Sequence, residues 1–237
     1  RGSSGMSLRD LLIFAIAAVI LRLAGRGKAR TPLLAAASVL AIYWLQPLSA
    51  VRYLDFWLPT LTLALTAAGW YLTASPEQRS ARRSRLILAA LAGAVLLIAA
   101  TRYLNPTDGI LTAGRPPELW QVIIGLALIA GLVFVAARPS VSLFWGVGLL
   151  VTLLVVLKSP ELARLVSAGL RGINQQNTAL ASALDLRWLG FSYVAFRLIH
   201  TFRDRQAGRL PAVELDEYLT FVIFFPELTP WTIFMPR

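Results

Sequence analysis

The stretch LWQVIIGLALIAGLVFVAARPSVSLFWGVGLLVTLLVVLK, residues 119–158, decides the fold. Two apolar runs, 119–137 and 140–157, are parted by little more than the turn formers Arg138, Pro139 and Ser140. Each approaches the roughly 20 residues that carry a helix across a ~30 Å hydrocarbon layer. A break this short between two apolar helices predicts a tight antiparallel hairpin inside a membrane. The rest of the chain supports that reading: of 237 residues, 57 % are hydrophobic and only 15 % charged. A water-soluble chain of this length has too few polar groups to cover so much apolar surface. The expected fold class is therefore all-α, a polytopic integral membrane protein.

Working outward, further spans are expected at about 8–25, 32–50, 54–74, 86–104, 186–203 and 214–229, eight in all. The opening Arg1-Gly2-Ser3-Ser4-Gly5 reads as a vector-derived remnant, and Leu8 to Ala24 as a first span rather than a removed signal, because another apolar run follows at once. Residues 6–157 then form a six-span bundle, 158–185 an interfacial segment, and 186–237 a two-span region. Pro32 suits a first helical turn, whereas Pro47 and Pro59 should end or kink their helices. Tyr43, Trp44, Tyr53 and Trp57 have the spacing of an interfacial aromatic belt. NPTDGILTAGRPPE, residues 105–118, reads as an ordered loop. Residues 158–185 open on Ser159 and Pro160, a helix start, and are amphipathic but too polar to span, which places them along the membrane surface.

The net charge is +11. In a soluble protein that would suggest nucleic acid, but here the cations sit in short loops between apolar runs, so no nucleic-acid partner is expected. Alternate loops carry twelve Lys and Arg on one side and eight on the other. That bias places the N-terminus outside the cytoplasm, and the expected location is a bacterial cytoplasmic (inner) membrane with that end periplasmic. Lipids are the expected partners. There is no cysteine and one histidine, His200. Disulfides, thiolate chemistry and multi-histidine metal sites within the chain are thereby excluded, and no cofactor or metal is expected.

Few residues look chemical. Gly146 and Gly148 lie inside an apolar span without a nucleotide-binding context and fit helix packing better, as do the small residues of Ala90 to Gly93. Glu214, Asp216 and Glu217 open a span, where carboxylates suit the helix dipole. The exception is WLGFSYVAFRLIHTFRDRQ, residues 188–206. On a helix, Tyr193, Arg197, His200 and Asp204 form one polar stripe. Charge exposed to lipid costs roughly 2.5–3.5 kcal/mol, so the stripe is expected to point inward. It reads as an Arg–His–Asp packing network, or the lining of a funnel, rather than as a catalytic group.

LGFSYVAFRLIHTFRDRQAGRL, followed by ELDEYLTFVIFFPEL, resembles the membrane-bound O-acyltransferase (MBOAT) family, in particular its bacterial branch near alginate O-acetyltransferase and D-alanyl transfer proteins. The resemblance rests on Gly190, Phe191, Ser192, Tyr193, Phe196 and Arg197 before a basic turn, and on Phe224, Phe225 and Pro226 after it. It implies an acyltransferase in which a histidine acts as general base on an acceptor hydroxyl. In the family that histidine lies beyond this motif, and His200 does not occupy its place. By the resemblance the region 186–237 is truncated, no catalytic residue is expected within the sequence, and an acyl donor is implied only if a C-terminal half completes it. The alternative expectation is a non-catalytic transmembrane subunit of a larger energy-transducing or photosynthetic complex.

Overall fold

The computed structural model describes residues 30–104, 111–136 and 143–223. Their regular structure is helical, and no strand occurs among the described residues. The helices are α1 Arg30–Leu45, α2 Leu54–Thr73, α3 Pro76–Ser80, α4 Arg82–Ala100, α5 Leu119–Ala136, α6 Leu143–Lys158, α7 Pro160–Ile173, α8 Phe191–Gln206 and α9 Leu215–Ile223. The span expected at 8–25 and the end of that expected at 214–229 lie outside the described residues, as do Phe224, Phe225 and Pro226.

Local chemistry accounts for most of the boundaries. Pro32 sits in the first turn of α1, and the helix stops at Leu45, two residues before Pro47. Pro59 does not end α2, which continues through it as one helix. Threonine hydroxyls serve the backbone around it: Thr60 donates to the Phe56 carbonyl at 2.8 Å and Thr62 to the Leu58 carbonyl at 3.1 Å. α3 is a single turn held by a capping box, in which Ser75 and Gln78 bond each other's backbone amides. Ser159 takes the cap position of α7 but makes no side-chain cap bond. Loop residues 111–118 are tied down by Asp55, whose Oδ2 accepts from the Gly114 amide at 2.6 Å, and by Arg102, which donates to the Pro116 carbonyl at 2.7 Å.

The core lies where α2, α8 and α9 meet, with α1, α4 and α6 around them. Trp70, Tyr43, Tyr218, Phe56 and Phe191 are its largest fully buried side chains. Gly69 permits the central crossing, since a Cβ there would stand 2.7 Å from Leu198 Cδ2 and 3.0 Å from the Tyr218 hydroxyl. Gly146 does the same on α6, where a Cβ would meet the Phe202 ring at 2.9 Å. Gly146 therefore serves packing, as its apolar context implied, whereas Gly93 and Gly148 have open space beside them. Two hydroxyl pairs cross between helices within the core: Thr201 with Tyr218 at 2.8 Å, and Tyr43 with Thr60 at 2.7 Å.

Among the described residues, Arg82–Tyr103 is the one helical segment both long and apolar enough to cross a bilayer by length and composition. α6 and α7 pass that test together but meet at a 96° bend. The stretch 119–158 does form two apolar helices, α5 and α6. Both carry rows of exposed large apolar side chains, among them Leu128, Leu132 and Phe134 on α5 and Phe144, Trp145 and Leu149 on α6. Replacing Gly69 with Val should force Leu198 aside and lower stability by about 1–3 kcal/mol, the usual cost of overpacking. Thermal melts of the detergent-solubilised variant test this; an unchanged midpoint would mean that the crossing has room to spare.

Candidate functional site

The motif stretch enters α8 through a tight turn. Gly190 has φ 69°, a left-handed conformation that glycine adopts without a Cβ penalty. Just before it, Trp188 stacks on Phe191 with ring centroids 4.2 Å apart, and its indole N–H donates to Thr62 Oγ at 2.8 Å. The motif's Gly-Phe pair thus locks the start of α8 against α2.

About two turns further on, Arg197 joins the two halves of the motif. Its guanidinium lies 4.0 Å from the centre of the Tyr193 ring and 4.8 Å from that of Phe221 on α9, and it donates to the Phe221 carbonyl oxygen. A cation between two aromatic faces gains roughly 0.5–2 kcal/mol from each when desolvated. Tyr193 and Arg197 are therefore brought together as the stripe predicts. His200 and Asp204 are not. Both are exposed, and neither side chain has a hydrogen bond or ion pair among the described residues.

This corrects the expectation of an inward Arg–His–Asp network. The buried face of α8 consists of Phe191, Val194, Ala195, Leu198, Thr201 and Phe202. At 100° per residue the polar stripe lies about 130° round the helix from that face. Leu198 and Phe202 win the inward direction because Gly69 and Gly146 open room for them. Arg197 still finds a partner, because its long stem reaches sideways to α9.

A second polar cluster lies outside the motif. Asp185 sits in a 3₁₀ turn, Ala183–Leu186, and is buried. Its Oδ2 accepts from Ser167 Oγ at 2.6 Å, Arg171 Nε at 2.9 Å and the Ser182 amide at 3.3 Å. Arg171 is equally buried, which makes this an enclosed ion pair. Its one signal in the sequence is Ser182-x-x-Asp185, a capping-box pattern that sequence reasoning missed. The same segment is fastened to the turn after α1: Ser49 Oγ donates to the Asp185 carbonyl at 2.9 Å, and Gln46 Nε2 to the Arg187 carbonyl at 2.6 Å.

Burial alone would raise the Asp185 carboxyl. The Ser167 hydroxyl, the Arg171 guanidinium and the Ser182 amide outweigh it and hold the group below its ordinary value of 3.8. These bonds fasten a strap; they do not form a proton relay. No group of three or more His, Asp or Glu side chains able to hold a metal occurs among the described residues. Comparison with known proteins finds no matching family model, no matching curated protein and no matching solved structure.

Two outcomes follow from the geometry. Arg197→Ala should cost about 1–3 kcal/mol in detergent melts, from the carbonyl bond and the ring contacts. Asp204→Ala should stay within about 0.5 kcal/mol, like other exposed changes; equal losses would restore the network. The Asp185 carboxyl is depressed in the fold, so its stabilisation is complete above 3.8 and is lost as pH falls below that value. The melting difference between the parent protein and Asp185→Asn should accordingly be wide at pH 7 and close in acid. A difference independent of pH would exclude the charged form as its source.

Proposed function

We propose that this chain is the membrane-embedded N-terminal scaffold of an MBOAT-like acyltransferase, multi-pass and inactive by itself. The observation that carries the reading is the Arg197 clamp. Tyr193 belongs to the motif's first helix and Phe221 to its second, and one guanidinium holds both. Gly190 adds a backbone reason for the glycine that opens the motif. In such an enzyme this helix pair would shape a wall of the reaction chamber, while a histidine beyond residue 237 acts as general base. His200, exposed and without a carboxylate partner among the described residues, is not assigned that role.

Membrane embedding has its own support. Large apolar side chains exposed along α5 and α6 form a surface that water disfavours and hydrocarbon does not. α7 divides its side chains by chemistry: Ala163, Ser167 and Arg171 are packed inward, Glu161 and Arg164 are exposed and charged, and Leu162, Leu165 and Ile173 are exposed and apolar. That division suits a helix lying at the headgroup level. The 96° bend before it turns the chain from one direction to the other.

The exposed row on α5 and α6 also favours a second reading, a non-catalytic subunit whose outer helices pack against a larger membrane complex. Two measurements discriminate. The protein contains no cysteine, so single cysteines can be introduced without background. With the proposed topology, cysteines at Arg82 and at Arg115 should label from opposite sides of sealed vesicles, and the protein should resist alkaline extraction. Labelling from one side, or release by carbonate, would defeat the multi-pass reading. For the enzyme assignment, the gene beyond codon 237 should encode a Gly-Pro-Ile segment and, later, a histidine in an apolar helix. A stop codon there, with partner chains that always co-purify, would select the subunit reading instead.

A further inference from the structure

A groove of about 590 Å³ opens where the start of α4 meets α1 and α9, within the size range of small-molecule sites. Its trough is apolar, formed by Pro32, Leu86, Ile87 and Ala90. Its head is ionic, formed by Arg82, Arg83 and Asp216. This division between a hydrocarbon floor and a charged mouth sets the chemistry of what fits.

The head has unused positive charge. Asp216 is 3 % exposed. Its Oδ2 accepts from Arg83 Nη2 at 2.7 Å, but its buried Oδ1 has no hydrogen-bond partner among the described residues. Arg83 keeps 58 % of its side chain exposed even while paired. Arg82 and Arg85, both exposed, make no ion pair among the described residues. Glu214 and Glu217 flank Asp216 and add negative potential at Arg83.

The backbone points the same way. Ala81 caps α4 without a side-chain hydrogen bond, and the first turn holds no acidic residue. Asp216 pairs with Arg83, which leaves Arg82 and Arg85 without an ion pair among the described residues at the positive end of a 19-residue helix, where an anion is favoured.

We propose that the groove binds an anionic glycerophospholipid. The phosphate lies between Arg82 and the amides that open α4. One acyl chain follows Pro32, Leu86, Ile87 and Ala90. A zwitterionic lipid leaves the arginine cluster unneutralised, and a phosphate without a chain leaves the trough empty. The inference rests on the membrane-embedded reading, but not on the acyltransferase assignment.

The test is native mass spectrometry of the delipidated, detergent-solubilised full chain, titrated with phosphatidylglycerol, phosphatidylethanolamine, phosphatidylcholine or free glycerol phosphate. Phosphatidylglycerol should bind most tightly, with one high-affinity site. Arg82→Gln should weaken it about tenfold, the loss of one charge-assisted contact. Ala90→Trp, which fills the trough at an exposed position, should weaken it at least as much. Arg164→Gln, at an exposed arginine on α7 that does not line the groove, should leave it unchanged. Equal affinity for all three lipids, an equal effect of Arg164→Gln, or equally tight glycerol phosphate would each overturn the proposal. Loss of lipid binding in a protein that still resists alkaline extraction counts against this site alone and leaves the membrane reading standing.

Discussion

The absence of a side chain at Gly69 governs how the three central helices meet. With nothing beyond Cα at that position, Leu198 of α8 and Tyr218 of α9 both reach the surface of α2. Tyr218 then pairs with Thr201, and Trp70, one residue on, donates to the Val213 carbonyl that precedes α9. Rotation of α8 follows from this crossing. Once Leu198 and Phe202 are seated against Gly69 and Gly146, Arg197 can reach only sideways, and His200 and Asp204 are turned away from the bundle.

The same core holds a row of buried threonines on α2. Each returns its hydroxyl to a carbonyl of its own helix, at Thr60, Thr62, Thr66 and Thr73. A helix that satisfies its own polar groups places no demand on its neighbours, which then pack by shape alone. The ionic contacts are pushed to the ends: Arg83 with Asp216, Arg102 with Glu118, and Arg171 with Asp185.

Much of the architecture was legible from the sequence. The two apolar helices of 119–158, the Ser159–Pro160 start of α7, the stop before Pro47 and the turn at Gly190 all depend on local chemistry, which a short window of sequence displays. The orientation of α8 was not, because the rule that turns charge away from lipid competed with a packing preference written on other helices, at positions 69 and 146. At Pro59 the local rule allowed either an end or a kink, and the helix runs on through it. Asp185 was hidden by distance. Its partners, Ser167 and Arg171, sit one turn apart on α7, well upstream, and only the Ser182-x-x-Asp185 spacing gave a local hint.

Asp185 has a consequence for how the chain hangs together. It fastens the far end of a loop to the helix that begins it, so the residues between, including the exposed Asn177, Thr178, Ala179 and Leu180, carry little of the load. Ser49 and Gln46 fasten the far side independently. A backbone break among those exposed residues would therefore leave the two pieces held together without a covalent link. The region is a natural seam, where the molecule could be divided into fragments that reassemble.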